Sequence, residues 1–78
     1  MNYSVEFGGK TYEVRHGGAF DRGSADSYYG RPPRPHYFLG DTYTSEEVAG
    51  VNVAQEFLED YYAGYEYNEQ CGDKKSWD

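Results

Sequence analysis

The chain has no isoleucine, two leucines, five valines and one methionine among its 78 residues. Leucine, isoleucine, valine and phenylalanine together supply 11 of the 78, under the roughly 20% below which a highly charged chain struggles to order itself. An ordinary aliphatic core is therefore excluded. Cys71 has no second cysteine to pair with, so there is no disulfide framework, and a reducing cytoplasm is the expected setting. No run of 18 apolar residues occurs, and residues 1–20 lack the basic start and apolar stretch of a signal peptide. Neither membrane insertion nor secretion is expected.

What the chain has instead is tyrosine. Ten tyrosines, four phenylalanines and one tryptophan can each bury about 150–250 Å², and each tyrosine brings a hydroxyl that needs a partner. The expectation is one small α+β domain with an aromatic core over residues 1–72, and a frayed tail at 73–78 on which Trp77 could still dock.

The net charge of −7 is unevenly spread. Residues 1–36 carry Lys10, Arg15, Arg22, Arg31 and Arg34 against four acidic groups, whereas residues 37–78 carry ten acidic groups against Lys74 and Lys75. Such a field disfavours direct binding to nucleic acid or an anionic membrane and favours a basic partner.

Residues 2–15 read as a β-hairpin. Tyr3, Val5 and Phe7 alternate with polar residues, as do Tyr12 and Val14, and Gly8-Gly9 between them accepts the positive φ of a two-residue hairpin loop. Closing on that loop pairs Phe7 with Lys10, Val5 with Tyr12 and Tyr3 with Val14. Residues 16–43 lack periodicity. They are expected to form an ordered loop pinned by Phe20, Tyr28, Tyr29, Tyr37, Phe38 and Tyr43, with one helical turn at Ala25–Tyr29 capped by Ser24 and ended by Gly30. Arg31-Pro32-Pro33-Arg34-Pro35 must be extended.

Residues Thr44 to Gln70 read as one long amphipathic helix. Thr44 and Glu47 have capping-box spacing. Val51, Ala54, Leu58, Tyr61 and Tyr65 form an apolar stripe, with Glu56, Glu59, Asp60 and Tyr67 opposite and Glu66 on the flank. Gly50 marks a place where the helix could start late or kink.

Four patterns bear on function. Glu56, Glu59, Asp60, Glu66 and Glu69 concentrate like charges that repel by roughly 0.2–0.5 kcal/mol per neighbouring pair. They present one charge per roughly 4 Å of helix, against about 3.4 Å along a nucleic-acid strand. They read as a docking face for a basic groove, and a solvated face in an acidic protein is the plain alternative. Tyr28, Tyr29, Arg31, Arg34, His36 and Tyr37 could instead stack on bases, as single-strand binders do, or serve core packing and ion pairing. Pro32-Pro33-Arg34-Pro35 fits a polyproline ligand as well as a rigid loop. Finally, His16, Asp21, Asp26, His36 and Cys71 match no metal site, nucleophile elbow or phosphate loop. No metal, cofactor or enzymatic activity is expected.

The segment Asp21-Arg22-Gly23-Ser24-Ala25-Asp26-Ser27-Tyr28-Tyr29-Gly30-Arg31, preceded by Phe20 and followed by Pro35-His36-Tyr37, resembles a block in small uncharacterised proteins of tailed phages and prophages. There too a Gly-Lys-Thr-type hairpin precedes it and a Glu-rich segment ending near Ala63-Gly64-Tyr65-Glu66 follows. The resemblance implies a phage-type accessory protein in the host cytoplasm and carries no mechanism; the acidic helix adds the expectation that its partner is a host protein with a basic surface. A fainter likeness to ribosome modulation factor, through Arg22-Gly23, Gly30-Arg31 and Tyr62-Ala63-Gly64-Tyr65, implies an association with ribosomes or RNA; that family is basic and this chain acidic. The block also has a structural reading, in which Asp21 and Asp26 pair with Arg22, Arg31 and Arg34 to fasten the loop.

Overall fold

The computed structural model describes residues 3–40 and 42–72. The expected tail at 73–78, with Trp77, lies outside them. The protein is α+β: an N-terminal antiparallel hairpin, a short helix, a second small ladder and a C-terminal helix.

The hairpin consists of β1 (Tyr3–Phe7) and β2 (Lys10–Val14), in the register that the alternation predicts, from Tyr3↔Val14 to Phe7↔Lys10. Gly8 and Gly9 both have positive φ (62° and 80°), the requirement of a type I′ turn. Its apolar face meets both helices. Tyr12 packs on Phe20 at 5.2 Å between ring centroids, and Phe7 meets Tyr67 edge-on at 5.7 Å. Tyr67 therefore faces the hairpin, and its expected place opposite the core is corrected.

The first helix, α1, spans Ala19–Tyr28, twice the length of the turn expected at Ala25–Tyr29. Ser24 lies inside it, so its expected capping role is corrected. At the N-terminal end the Asp21 carboxylate accepts from the Gly17 N–H at 3.0 Å. At the C-terminal end Gly30 takes a φ of 70°, its N–H donates to Ser27 O, and the Arg31 N–H donates to Asp26 O. That pair of bonds is a Schellman motif, which fixes where the extended 31–35 segment departs.

Strand β3 (His36–Phe38) pairs antiparallel with β4 (Glu47–Ala49). The Arg15 guanidinium ties this ladder to the hairpin, donating to Phe38 O at 2.5 Å and to Gly40 O at 3.0 Å. A single 3-10 turn at Gly50–Asn52 follows, and then α2 spans Gln55–Cys71.

The helix thus starts eleven residues later than the expected Thr44. Glu47 is in a strand rather than a capping box, and Val51, placed on the core stripe by periodicity, is fully exposed. Gly50 at φ 63° breaks any helix there, and the β-branched Val48 gains more from pairing with Tyr37 than from a helical turn. The true buried face of α2 is Tyr61, Gly64 and Asn68.

The two helices form the centre of the molecule. A Cβ on Gly23 would sit 1.9 Å from Tyr61 O, and one on Gly64 would sit 2.0 Å from Phe20 O. Glycine at both positions lets the backbones touch. The crossing carries Tyr61, the largest fully buried side chain, against the C-terminal half of α1.

Candidate functional site

Asp26 is the polar centre. It sits on the inner face of α1 at 3% exposure, among groups from four segments. The Tyr61 hydroxyl donates to its Oδ2 and in turn accepts the Arg34 N–H at 2.9 Å. Arg31 Nη1 lies 3.3 Å from Oδ1, and Arg22 Nη2 is 4.0 Å away, one helical turn back. Burial, with the neighbouring carboxylate second, pushes the Tyr61 hydroxyl far above the ordinary tyrosine range. Tyr61 is therefore a neutral donor.

His36 lies beside this carboxylate, 2% exposed, with Nδ1 3.9 Å from Asp26 Oδ2. The Arg22 Nε–H can only donate, and it points at His36 Nε2 at 3.1 Å. That nitrogen must accept, so Nδ1 carries the hydrogen and donates to Arg34 O at 2.6 Å. Both ring nitrogens are occupied in holding the Arg-Pro segment to the helix. Arg22 Nη2 also donates to the Tyr43 hydroxyl at 3.3 Å, with the guanidinium 5.3 Å from the Tyr43 ring.

Over this floor opens a cleft of about 600 Å³, lined by Arg22, Asp26, His36, Tyr43 and the segment Arg31–Arg34. Its mouth is formed by two guanidiniums. Arg31 rests on the Tyr29 ring at 4.7 Å, and Arg34 reaches Glu47 at 3.3 Å on the surface. The Asp26 hydrogen bond, working against burial, raises the Arg31 guanidinium still further into permanent charge.

The structure divides the expected Tyr/Arg loop site. Tyr29, Arg31 and Arg34 stay together, and Tyr28 stacks edge-on against Tyr29 at 5.0 Å. His36 is buried beneath them. Tyr37, half-buried, packs on Phe57 at 4.6 Å, away from the Arg31–Arg34 cleft, so an open platform including His36 and Tyr37 is corrected. Of the expected fastening pairs, Asp26–Arg31 forms at 3.3 Å and Asp26–Arg22 at 4.0 Å, whereas Asp21 serves the start of α1. Tyr43 and Tyr61 were not legible as site residues, because their partners lie 21 and 35 positions away along the chain.

The acidic face is also resolved into parts. Glu56, Glu59 and Glu66 are exposed, with the half-exposed Tyr62 among them. Asp60 turns inward beside Phe20, Tyr37 and Phe57. Burial raises its carboxyl above the usual range, which Lys10 partly offsets. Glu69 accepts from Ser27 Oγ at 2.5 Å across the helix crossing. The exposed acidic face is therefore narrower than the five expected carboxylates, because Asp60 leaves it.

Among the described residues no group of His, Cys, Asp and Glu could hold a metal ion, and no helix is long and apolar enough to cross a membrane. No protein-family model matches the chain, and neither a curated protein nor a solved structure matches it.

Proposed function

We propose that the protein acts by binding, without catalysis of its own, and that the outer ridge of α2 docks on a basic surface of a host protein. The observation that carries this reading is the row Glu59, Tyr62, Glu66, exposed at i, i+3 and i+7, with Glu56 and Glu69 at its ends. Tyrosine is a favoured anchor at interface centres, and carboxylates on either side would steer a basic groove onto it. Four carboxylates span thirteen steps of the helix, about 20 Å. That is one charge per roughly 5 Å, about two-thirds the density of a nucleic-acid strand. As a nucleic-acid mimic the ridge would fill part of the phosphate positions of a partner's groove, as in a host defence or transcription protein. The likeness to phage proteins supports that setting.

The test is capture from bacterial lysate with the wild-type chain and with Glu59→Lys/Glu66→Lys. The expected result is a basic, nucleic-acid-handling protein retained by the wild type, released by competing DNA and lost with the double variant. Capture that survives the charge reversal overturns the reading.

A second reading, an RNA- or ribosome-associated module, draws support from the arginine-lined cleft. Co-sedimentation with ribosomes at moderate salt, lost in Arg31→Gln/Arg34→Gln, would favour it over the ridge.

A further inference from the structure

We propose that the Arg22–Arg31–Arg34 cleft binds the terminal phosphate of a nucleotide, with Tyr43 as the surface on which the base stacks. This extends the second reading above and is independent of the α2 ridge.

Charge counting comes first. Among the described residues three guanidiniums line the cleft and Asp26 returns one negative charge, an excess of two positive charges inside it. Glu47 meets Arg34 only at the surface, where both side chains are more than a third exposed; such a pair is worth little and yields to a better anion. A phosphate monoester carries about −1.5 to −2 at pH 7 and offers three acceptor oxygens, whereas a phosphodiester or a carboxylate brings one charge. The monoester matches the cleft.

The donors are in place. Arg22 is 6% exposed, with Nε committed to His36 and Nη2 to Tyr43. Among the described residues no hydrogen bond engages its Nη1, so an arginine that lines the cleft keeps the two N–H donors of that nitrogen for a ligand. Arg31 is held by Tyr29 and Asp26, and guanidinium forks fixed in this way suit phosphate oxygens.

Tyr43 supplies the third observation. It is the single non-glycine residue with positive φ (64°) among the described residues, yet its ring is 72% exposed. A bulky side chain in that region is strained, and strain of this kind collects at ligand sites. Here the ring lies beside the guanidinium of Arg22, in a cleft that Pro32 and Pro33 also line. The volume falls within the roughly 300–1,000 Å³ of small-ligand sites. A phosphotyrosine side chain would leave most of it unfilled, whereas a nucleotide adds a ribose and a base.

The test is calorimetric titration of the full chain with adenosine 5′-monophosphate, adenosine, phenyl phosphate, and a short single strand with and without a 5′-phosphate. The monophosphate should bind at least about tenfold tighter than adenosine, the loss expected when charge-assisted hydrogen bonds vanish. Arg34→Gln, an exposed change, should weaken it about tenfold. Tyr43→Gly, which relieves the backbone, should weaken it by a similar factor through lost stacking. A free nucleotide is the source if only the monophosphate binds; a strand end is the source if the 5′-phosphorylated strand binds at least about tenfold tighter than its hydroxyl form. Equal binding of the two strands with no response to the monophosphate overturns the inference and leaves backbone RNA binding standing. Phenyl phosphate binding as tightly as the monophosphate assigns the cleft to phosphopeptides and overturns it, as does wild-type affinity in both variants, or no binding at all.

Discussion

Tyr61 shows how much a single hydroxyl can hold. Its oxygen joins the Asp26 carboxylate to the Arg34 N–H, so one atom fastens α1, α2 and the Arg-Pro segment. Removing it strands an acceptor and a donor away from water, and each unsatisfied group costs about 1–3 kcal/mol. Asp26 keeps Arg31 and Arg22, so the loss falls short of that for an unpaired buried charge. Tyr61→Phe should therefore lower stability by about 2 kcal/mol, a Tm drop of roughly 8–16 °C by calorimetry for a domain of this size. A drop under about 3 °C would mean that water replaces the hydroxyl. Asp60 tests the opposite sign. Its carboxyl is raised in the folded state, chiefly by burial, so the folded protein binds the proton better than the unfolded chain. Stability is then lost as pH rises through the raised value, and the penalty is absent below the ordinary aspartate range. Asp60→Asn should raise Tm at pH 7 by a few degrees, since solvent screening holds the gain under about 0.5 kcal/mol. That gain should vanish at pH 3. An equal gain at both pH values would point to packing instead of charge.

At the scale of elements, the Gly23–Gly64 crossing decides the fold. Gly64→Ala would gain about 1 kcal/mol of helix propensity, but its Cβ would lie 2.0 Å from Phe20 O. Backbone cannot turn aside as a side chain can, so the helices must separate, and overpacking of this kind costs about 1–3 kcal/mol or more. The clash wins. Gly64→Ala and Gly23→Ala should each lower the urea midpoint, while Ser24→Ala on the same helix leaves it unchanged or raises it slightly. The crossing also explains what the sequence conceals. The hairpin register was legible because alternation and Gly8-Gly9 are local signals; a C-terminal helix was legible too, but of the stripe its period suggested only Tyr61 is on the buried face of Tyr61, Gly64 and Asn68. The first half of α1 was hidden because Gly23 and Ser24 are weak helix formers, and its helicity comes from docking on Tyr61 and Gly64. Strands β3 and β4 have three residues each, too few for a period to register, so Glu47 and Val48 read as helix. For the site, Asp26 and Arg31 were close enough in sequence to be paired; Tyr43 and Tyr61 become neighbours of that pair only through tertiary contacts.

Taken whole, the molecule sets an arginine cleft apart from an acidic ridge, and local stability does not require the ridge. Three arginines gather at one cleft, while the outer turns of α2 hold Glu56, Glu59, Glu66 and Glu69. The ridge carboxylates lie at spacings where like charges destabilise a helix by a few tenths of a kcal/mol per pair. Glu59→Lys/Glu66→Lys would change the net charge from −7 to −3. It would also set one new ammonium a turn beyond Glu56 and the other a turn before Glu69, replacing two repulsions with two attractions. The double variant should therefore melt a few degrees higher than the wild type in low salt, with the difference shrinking as added salt shortens the screening length from about 30 Å at 0.01 M to about 8 Å at 0.15 M. Read beside partner capture, the melting result separates two accounts of the ridge. Higher stability with capture lost means that the repulsion is maintained for binding, a trade of stability for function. Higher stability with capture intact means that the carboxylates only solvate the helix, and the arginine cleft then stands as the protein's binding surface.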